Sequence, residues 1–470
     1  MTVNVTPAAA AFYNARDRRT LEYGANVTNL GTPITLTVTR ACAATRAGQI
    51  ATLALVDLLF RVHQNVRLDL PKTRLVTPRV GPDNSNGLLG AALLIASGID
   101  PFQKPLRDLE SDELVIAIEG HGPSTHAEPD VSVRWHGGRG EAHIRSHAPP
   151  PPEVDMPQPT NGHAADVLGA AAAACLAAAA VFGMAHGATP RPTAVNLLTR
   201  TEDAAASTKS VSGPVDVGDV QVIGGGAVGH ALTYWLRCFE ALGAWSVIDG
   251  DDATLHNTNR CMGMTAADAG WPEGSPGGPV AKKAETAARN LGEPATVVPD
   301  WYHQIVDRLP RPDLILALAN EYEVRSTVAQ RGDELLIHAT TGRDWTAELH
   351  RHIAAEDDCL SCRMPAQTKA QLACSEGPVA PSDAASGDAA LPFLSAMAGL
   401  LLATALLDLS HERAVLSGRV NHWRVALDLP PGPVIQIGIH RLAGCPHVLG
   451  PEVRSALHVR QTRRWDNLGG

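Results

Sequence analysis

Residues 220–229 read VQVIGGGAVG, an apolar run of strand type that breaks into glycines at 224, 225, 226 and 229. The apolar start of a helix, HALTYWLRCFEAL, follows at once. Glycine lets a backbone approach a phosphate, and the helix behind it offers unpaired N–H groups and the positive end of its dipole. A glycine turn between strand and helix therefore predicts a βαβ unit in a parallel sheet. The next strand, WSVID, ends at Asp249, where such folds keep an acid for ribose hydroxyls. Taken alone, the loop with Gly224, Gly226 and Gly229 most often means NAD or FAD.

The residues that follow shift that balance. Asp251, Asn257, Asn259, Arg260 and Lys283 come in that order. A dehydrogenase has no need of a cation pair after its ribose acid. An enzyme that brings a carboxylate against the α-phosphorus of a triphosphate does, because two anions are being joined. DGDDATLHNTNRC matches D-x-D-x-V-x-x-S-N-L-x-R-Q, the signature of the ubiquitin-activating (E1), ThiF and MoeB superfamily, at the same spacing. The chain resembles that superfamily over about residues 218–450 by motif, and over 30–200 by architecture.

The resemblance implies an α/β protein with two Rossmann-like, ThiF-type adenylation folds in tandem. It places Asp249, Asp251, Asn257 and Arg260 on nucleotide-contacting positions, and Lys283 on the catalytic lysine. His256, Thr258 and Cys261 stand where Ser, Leu and Gln are usual. The family has D-A-T-D-N-x-x-x-R further on, its second Asp binding the magnesium of ATP. This chain reads ALANEYEVR, which puts Asn320 on that position, Glu321 beside it and Arg325 in pattern. Either Glu321 takes over the cation or metal binding is weakened.

The resemblance also assigns the downstream cysteines. Cys359, Cys362 and Cys445 fall on three ligands of a structural zinc; the fourth falls on Val448, leaving His447 as the nearest substitute. Cys374 aligns with the cysteine that accepts the activated carboxyl in several members. A thiol suits that step, being nucleophilic near neutral pH and forming a transferable thioester. The alternative is a packing cysteine, as in members that only adenylate. Cys42, Cys175, Cys238 and Cys261 have no evident partners and read as structural.

The first half repeats the unit without its glycines. ITLTVT is a strand, RACAATRAG a turn, QIATLALVDLLFRV a helix and VRLDL a strand, with Asp69 in the place of Asp249. RACAAT fills with side chains the space where a phosphate would meet N–H groups, so this unit is expected to be degenerate. The expected organisation is an inactive adenylation domain at 1–200, a linker at 201–217, and an active domain at 218–470 with a crossover segment at about 359–392. A hairpin is expected over 130–145, parallel strands at 313–318 and 334–339, and an antiparallel strand in DWTAELHRHI.

A formal charge of −10 argues against a nucleic-acid binder, which needs a basic face. The eight cysteines are too dispersed for a disulfide framework. No apolar core of a signal peptide stands near the start, and the apolar segments 164–185 and 394–409 read as buried helices rather than membrane spans. A cytoplasmic location without membrane contact is expected. HGPSTHAE (121–128) and the terminal NLGG read as an exposed loop and a flexible end.

The resemblance implies ATP, Mg2+ and structural Zn2+, a ubiquitin-like protein as substrate, and an E2-like protein that receives it. It extends to the E1 components of bacterial ubiquitin-like (Bil-type) antiphage conjugation operons. Such folds pair as an internal pseudo-dimer or a homodimer and lend an arginine across the interface; Arg18, Arg19 and Arg46 are candidates. The remaining alternatives are a sulfur-carrier adenylyltransferase without E2 transfer, an NAD-dependent oxidoreductase, and a non-catalytic scaffold.

Overall fold

In the computed structural model the strand–turn–helix units build two sheets. The residues described are 6–21, 27–78, 87–108, 113–120, 129–145, 164–190, 193–201, 216–272, 280–292, 294–332, 335–342, 345–353, 357–363, 391–411, 416, 418–427, 434–440 and 445. The first sheet contains β1 (Ile34–Val38), β2 (Val66–Asp69), β3 (Leu114–Gly120), β4 (Val131–His136), β5 (Arg139–Ile144) and β6 (Thr193–Asn196). Their order is β2-β1-β3-β4-β5-β6, parallel from β2 to β4 and antiparallel beyond. The hairpin expected over 130–145 is β4–β5.

The second sheet contains β7 (Asp216–Ile223), β8 (Leu242–Ile248), β9 (Ala295–Val298), β10 (Leu314–Ala317), β11 (Leu335–Gly342), β12 (Thr346–Ile353), β13 (His422–Ala426) and β14 (Ile435–Ile437). Their order is β14-β13-β12-β11-β10-β7-β8-β9. The five strands from β9 to β11 are parallel, and β12, β13 and β14 continue antiparallel. The chain winds outward from β7 to β9, then returns to the other side of β7 at β10. That reversal leaves a crevice at the carboxyl ends of β7 and β10, where open α/β sheets bind ligands. Residues 216 and 217, expected in the linker, are the first residues of β7: Asp216 pairs with Leu242, and the register shifts before Asp219 pairs with Ala244. Residues 202–215 of that linker lie outside the described residues.

Between the sheets lie four helices: Arg46–Val62, Ala164–Ala185, Ala227–Cys238 and Pro392–Ser410. One apolar cluster runs through these helices and both sheets. Small residues allow the close approach. A Cβ at Gly399 would stand 2.6 Å from the backbone nitrogen of Leu232. The helices Ala164–Ala185 and Pro392–Ser410 are long and apolar enough to cross a membrane, but both are almost wholly buried in the fold. Arg200 pairs with Asp408 at 2.5 Å, both side chains fully buried, and so ties the first half to the last of these helices.

The degenerate turn of the first half uses its own donors. The Thr39 hydroxyl accepts from the Cys42 N–H, and the Thr45 hydroxyl accepts from the Gly48 N–H at 3.0 Å. Gly48 lies so close to the carbonyl and Sγ of Cys42 that a Cβ there would overlap them. The helix end that would face a phosphate is filled.

Candidate functional site

The second half's turn is built the opposite way. Gly224 adopts φ +108°, and a Cβ there would stand 2.5 Å from the Ala319 nitrogen, just past β10. Only glycine lets the loop lie against the end of β10. Gly229 presses on the Gly224 carbonyl in the same way. Gly226 caps the helix Ala227–Cys238, and a Cβ there would meet no atom within 4 Å. Open space at a helix N-terminus is what an anion requires.

Asp249 closes one side. Its two carboxylate oxygens accept the N–H groups of Gly225 (2.6 Å) and Asp251 (2.8 Å). Burial pushes its carboxyl above the usual range, against the pull of Lys283 and these donors. Residues 251–253 pair with 281–283: the Ala253 N–H donates to Ala281 O, and the Lys283 N–H to Asp251 O. This pairing brings Lys283, first residue of the helix Lys283–Leu291, back to the crevice. Its ammonium lies 2.5 Å from Asp251 Oδ2. Burial works against that charge, but Asp249 and Asp251 hold it above the ordinary lysine value. Glu321 caps the helix Tyr322–Arg331 in the same field; burial, then Asp249 and Asp251, raise its carboxyl. Asn320 stands beside it, and Arg325 Nε donates to Ala319 O, holding the end of β10.

The loop after Asp251 carries the cations. Asn257 uses its side-chain oxygen within the loop, accepting from the N–H (3.0 Å) and hydroxyl (2.8 Å) of Thr254. The Arg260 side chain is buried. His256 is pulled down to about 3 by burial, then by the charges of Arg260, Arg19, Lys283 and Arg18. Two of those charges, Arg18 and Arg19, belong to the first half of the chain. Arg46 is elsewhere: it donates to the Cys238 carbonyl at 2.8 Å and caps the far end of the glycine-loop helix.

Cross-ties hold these parts in register. His230, pushed down to about 4 by burial, bonds the Gly226 carbonyl and the Thr286 hydroxyl, joining the glycine loop to the lysine helix. Asn290 donates to Met262 O at 2.7 Å, joining that helix to the arginine loop.

Two further clusters lie on the antiparallel side. Cys359 Sγ is 3.5 Å from both Cys362 Sγ and Cys445 Sγ. Thiolates on one tetrahedral zinc, at about 2.3 Å each, would stand roughly 3.8 Å apart. Without an ion, burial and the neighbouring thiols push Cys359 up to about 12. The second cluster is a column of rings unanticipated from the sequence. His338, His350 and His422 are cross-strand partners on β11, β12 and β13 and stack at 4.2 and 4.3 Å, with His352 against His338 at 5.0 Å. Glu348 receives His422 Nε2 at 3.1 Å. The donor atoms of Glu348, His350 and His422 lie close enough for an ion. Yet Arg363 donates to His350 Nδ1, which leaves the proton on Nε2, the nitrogen an ion would need. Hydrogen bonding accounts for this cluster. Cys42, Cys175, Cys238 and Cys261 are buried, as expected of packing residues. Cys374, His447, the 121–128 loop and the NLGG end lie outside the described residues.

Fold and crevice define the class: an α/β protein of two mainly parallel sheets, the second carrying the glycine turn at its crevice. Residues 33–197, the first sheet and its helices, match the family described as the BilD N-terminal domain. That match covers about a third of the chain, and the second half is similar to the E1, ThiF and MoeB superfamily by its motifs. Escherichia coli MccB solved with ATP is similar at 17% identity and TM-score 0.37, over 50% of this chain and 67% of that one. MccB with MccA-N7isoASN is similar at 15% identity and TM-score 0.37, over 49% and 67%. PaaA is similar at 13% identity and TM-score 0.32, over 47% and 64%. No curated protein matches the chain.

The two glycines of the loop should separate in experiment. Gly224→Ala is expected to cost about 1–3 kcal/mol in urea unfolding, because it forces a side chain onto positive φ. Gly226→Ala should cost about 1 kcal/mol or less, yet weaken nucleotide binding measured by calorimetry. Undiminished binding in Gly226→Ala would place the phosphates elsewhere.

Proposed function

We propose that this chain is an E1-like activating enzyme that adenylates the C-terminal glycine of a ubiquitin-like protein with ATP. A carboxylate oxygen of that glycine attacks the α-phosphorus. The bond from phosphorus to the bridging oxygen breaks, pyrophosphate leaves with the electron pair, and an acyl-adenylate remains. The observation that carries this reading is the crevice in which Asp249 holds the Gly225 N–H and Lys283 stands 2.5 Å from Asp251, beside a helix N-terminus where a Cβ on Gly226 would meet no atom. The lysine's charge suits a polyanion meeting a second anion.

In this reading the loop of Gly224, Gly226 and Gly229 bounds the phosphates, and Asp249 holds the ribose. Asn257 shapes the loop that presents Arg260. Lys283 leaves Asp251 for the phosphates when nucleotide arrives. Asp251, Asn320 and Glu321 would hold the Mg2+ that accompanies ATP; with Asp249 they set three carboxylates in the field of one lysine, which fits an added cation. That ion would spread the phosphate charge. The two halves form an internal pseudo-dimer in which the first contributes arginines and no chemistry.

The Cys374 thiolate would then attack the acyl carbon, releasing AMP and forming a thioester for an E2-like protein. Cys359, Cys362 and Cys445, with His447 as fourth ligand, would hold a structural zinc.

ATP–pyrophosphate exchange with the ubiquitin-like protein encoded beside this gene is the direct test. Exchange is expected, and Lys283→Ala should lower it by about 10²-fold or more with the fold intact, since the loss is in transition-state charge stabilisation. NAD binding without exchange would move the chain to oxidoreductase chemistry. A thiol-sensitive adduct with the carrier is expected on denaturing gels and should vanish in Cys374→Ala; an adduct that survives assigns the nucleophile elsewhere, and its absence from the unaltered chain leaves adenylation alone. The purified protein should hold about one equivalent of zinc, lost in Cys362→Ser; a metal-free chain of full stability would make the three thiols packing residues.

A further inference from the structure

Arg260 stands in a loop gripped from the other half of the chain. On the helix Arg46–Val62, Arg61 and Asp57 form a two-pronged ion pair, Nε to Oδ1 at 2.6 Å and Nη2 to Oδ2 at 2.9 Å. Both side chains are buried. The free edge of the guanidinium faces the second half: Nη1 donates to the carbonyls of Thr258 (2.5 Å) and Met264 (3.1 Å). Asp57 Oδ2 also accepts the Gly263 N–H at 3.1 Å. Thr20 Oγ1 accepts from Asn259 Nδ2 at 2.9 Å, and Gly98 O from the Ala266 N–H at 2.8 Å. Contacts from the first half thus hold residues on both sides of Arg260.

A buried ion pair is a weak source of stability, since desolvation of two charges offsets most of their attraction. It is a strong source of direction. The planar guanidinium can hold a carboxylate with one face of its fork and two carbonyls with the rest, which an ammonium on a flexible stem cannot do. The two carbonyls it holds are six residues apart in the chain and close the loop like a clasp.

We infer that Asp57 and Arg61 are positioning residues for Arg260: the half without a phosphate turn sets the geometry of the cation that the other half uses. The inference rests on the adenylation reading for what Arg260 does, but the clamp has a readout of its own.

A double-mutant cycle on the full chain tests it. Arg61→Lys keeps the charge and loses the fork, and the paired change D57N/R61Q removes both buried charges together. Each is expected to lower kcat for ATP–pyrophosphate exchange about 10- to 100-fold, as misplacement by an ångström does. Neither should lower it further in an Arg260→Ala background, because residues acting through one group are not additive. Binding of a fluorescent ATP analogue should show the same coupling. Arg46→Lys, which alters an inter-half contact away from the site, should leave exchange within about twofold. Full exchange in both clamp variants, or losses that add to that of Arg260→Ala, overturns the inference, as does unfolding of both. Coupled analogue binding without exchange by the unaltered chain would sink the adenylation reading and keep the clamp; absence of both would end the two together.

Discussion

The structure depends on a single apolar layer shared by two sheets. Helices of each half cover their own sheet and then pack on one another: Ala164–Ala185 from the first half lies against Pro392–Ser410 from the second. Separating the halves would expose the longest apolar helices of the chain to water, which the hydrophobic effect opposes in proportion to area. With few aromatic rings, the layer is filled by Ala and Leu, and glycine lets backbones touch where side chains would hold them apart.

The charged groups at the crevice have partners within the fold. Lys283 rests on Asp251, and Asp249 on two backbone donors. Such a site is prepared without being strained. Groups already held in place need little reordering to take a new partner, which is what electrostatic preorganisation means.

Much of this could be read from residues in order along the chain. The glycine turn, the strands beside it and the helix at 164–185 are local patterns, and the structure places them where the pattern does. Asp249 and Lys283 were legible by spacing, although the short pairing of 251–253 with 281–283 that joins them was not. Cys359 and Cys362 share a turn; Cys445 joins them from 86 residues away, visible only through the family resemblance. The histidine column escaped because it depends on the register of three strands, which no single segment contains. Asp57 and Arg61 stand one turn apart on the same helix, and nothing local says that the guanidinium's other edge meets a loop some 197 residues on. Arg46 was a fair candidate by its place after the turn, and the helix direction sends it to the wrong end.

The filled turn of the first half carries one more meaning. Thr39, Thr45 and the Cys42 carbonyl satisfy there what a nucleotide would otherwise satisfy. A turn whose donors are met by its own side chains needs no ligand to complete its fold. The first half is therefore a ready-made mount, and the loop of Arg260 is fastened to it.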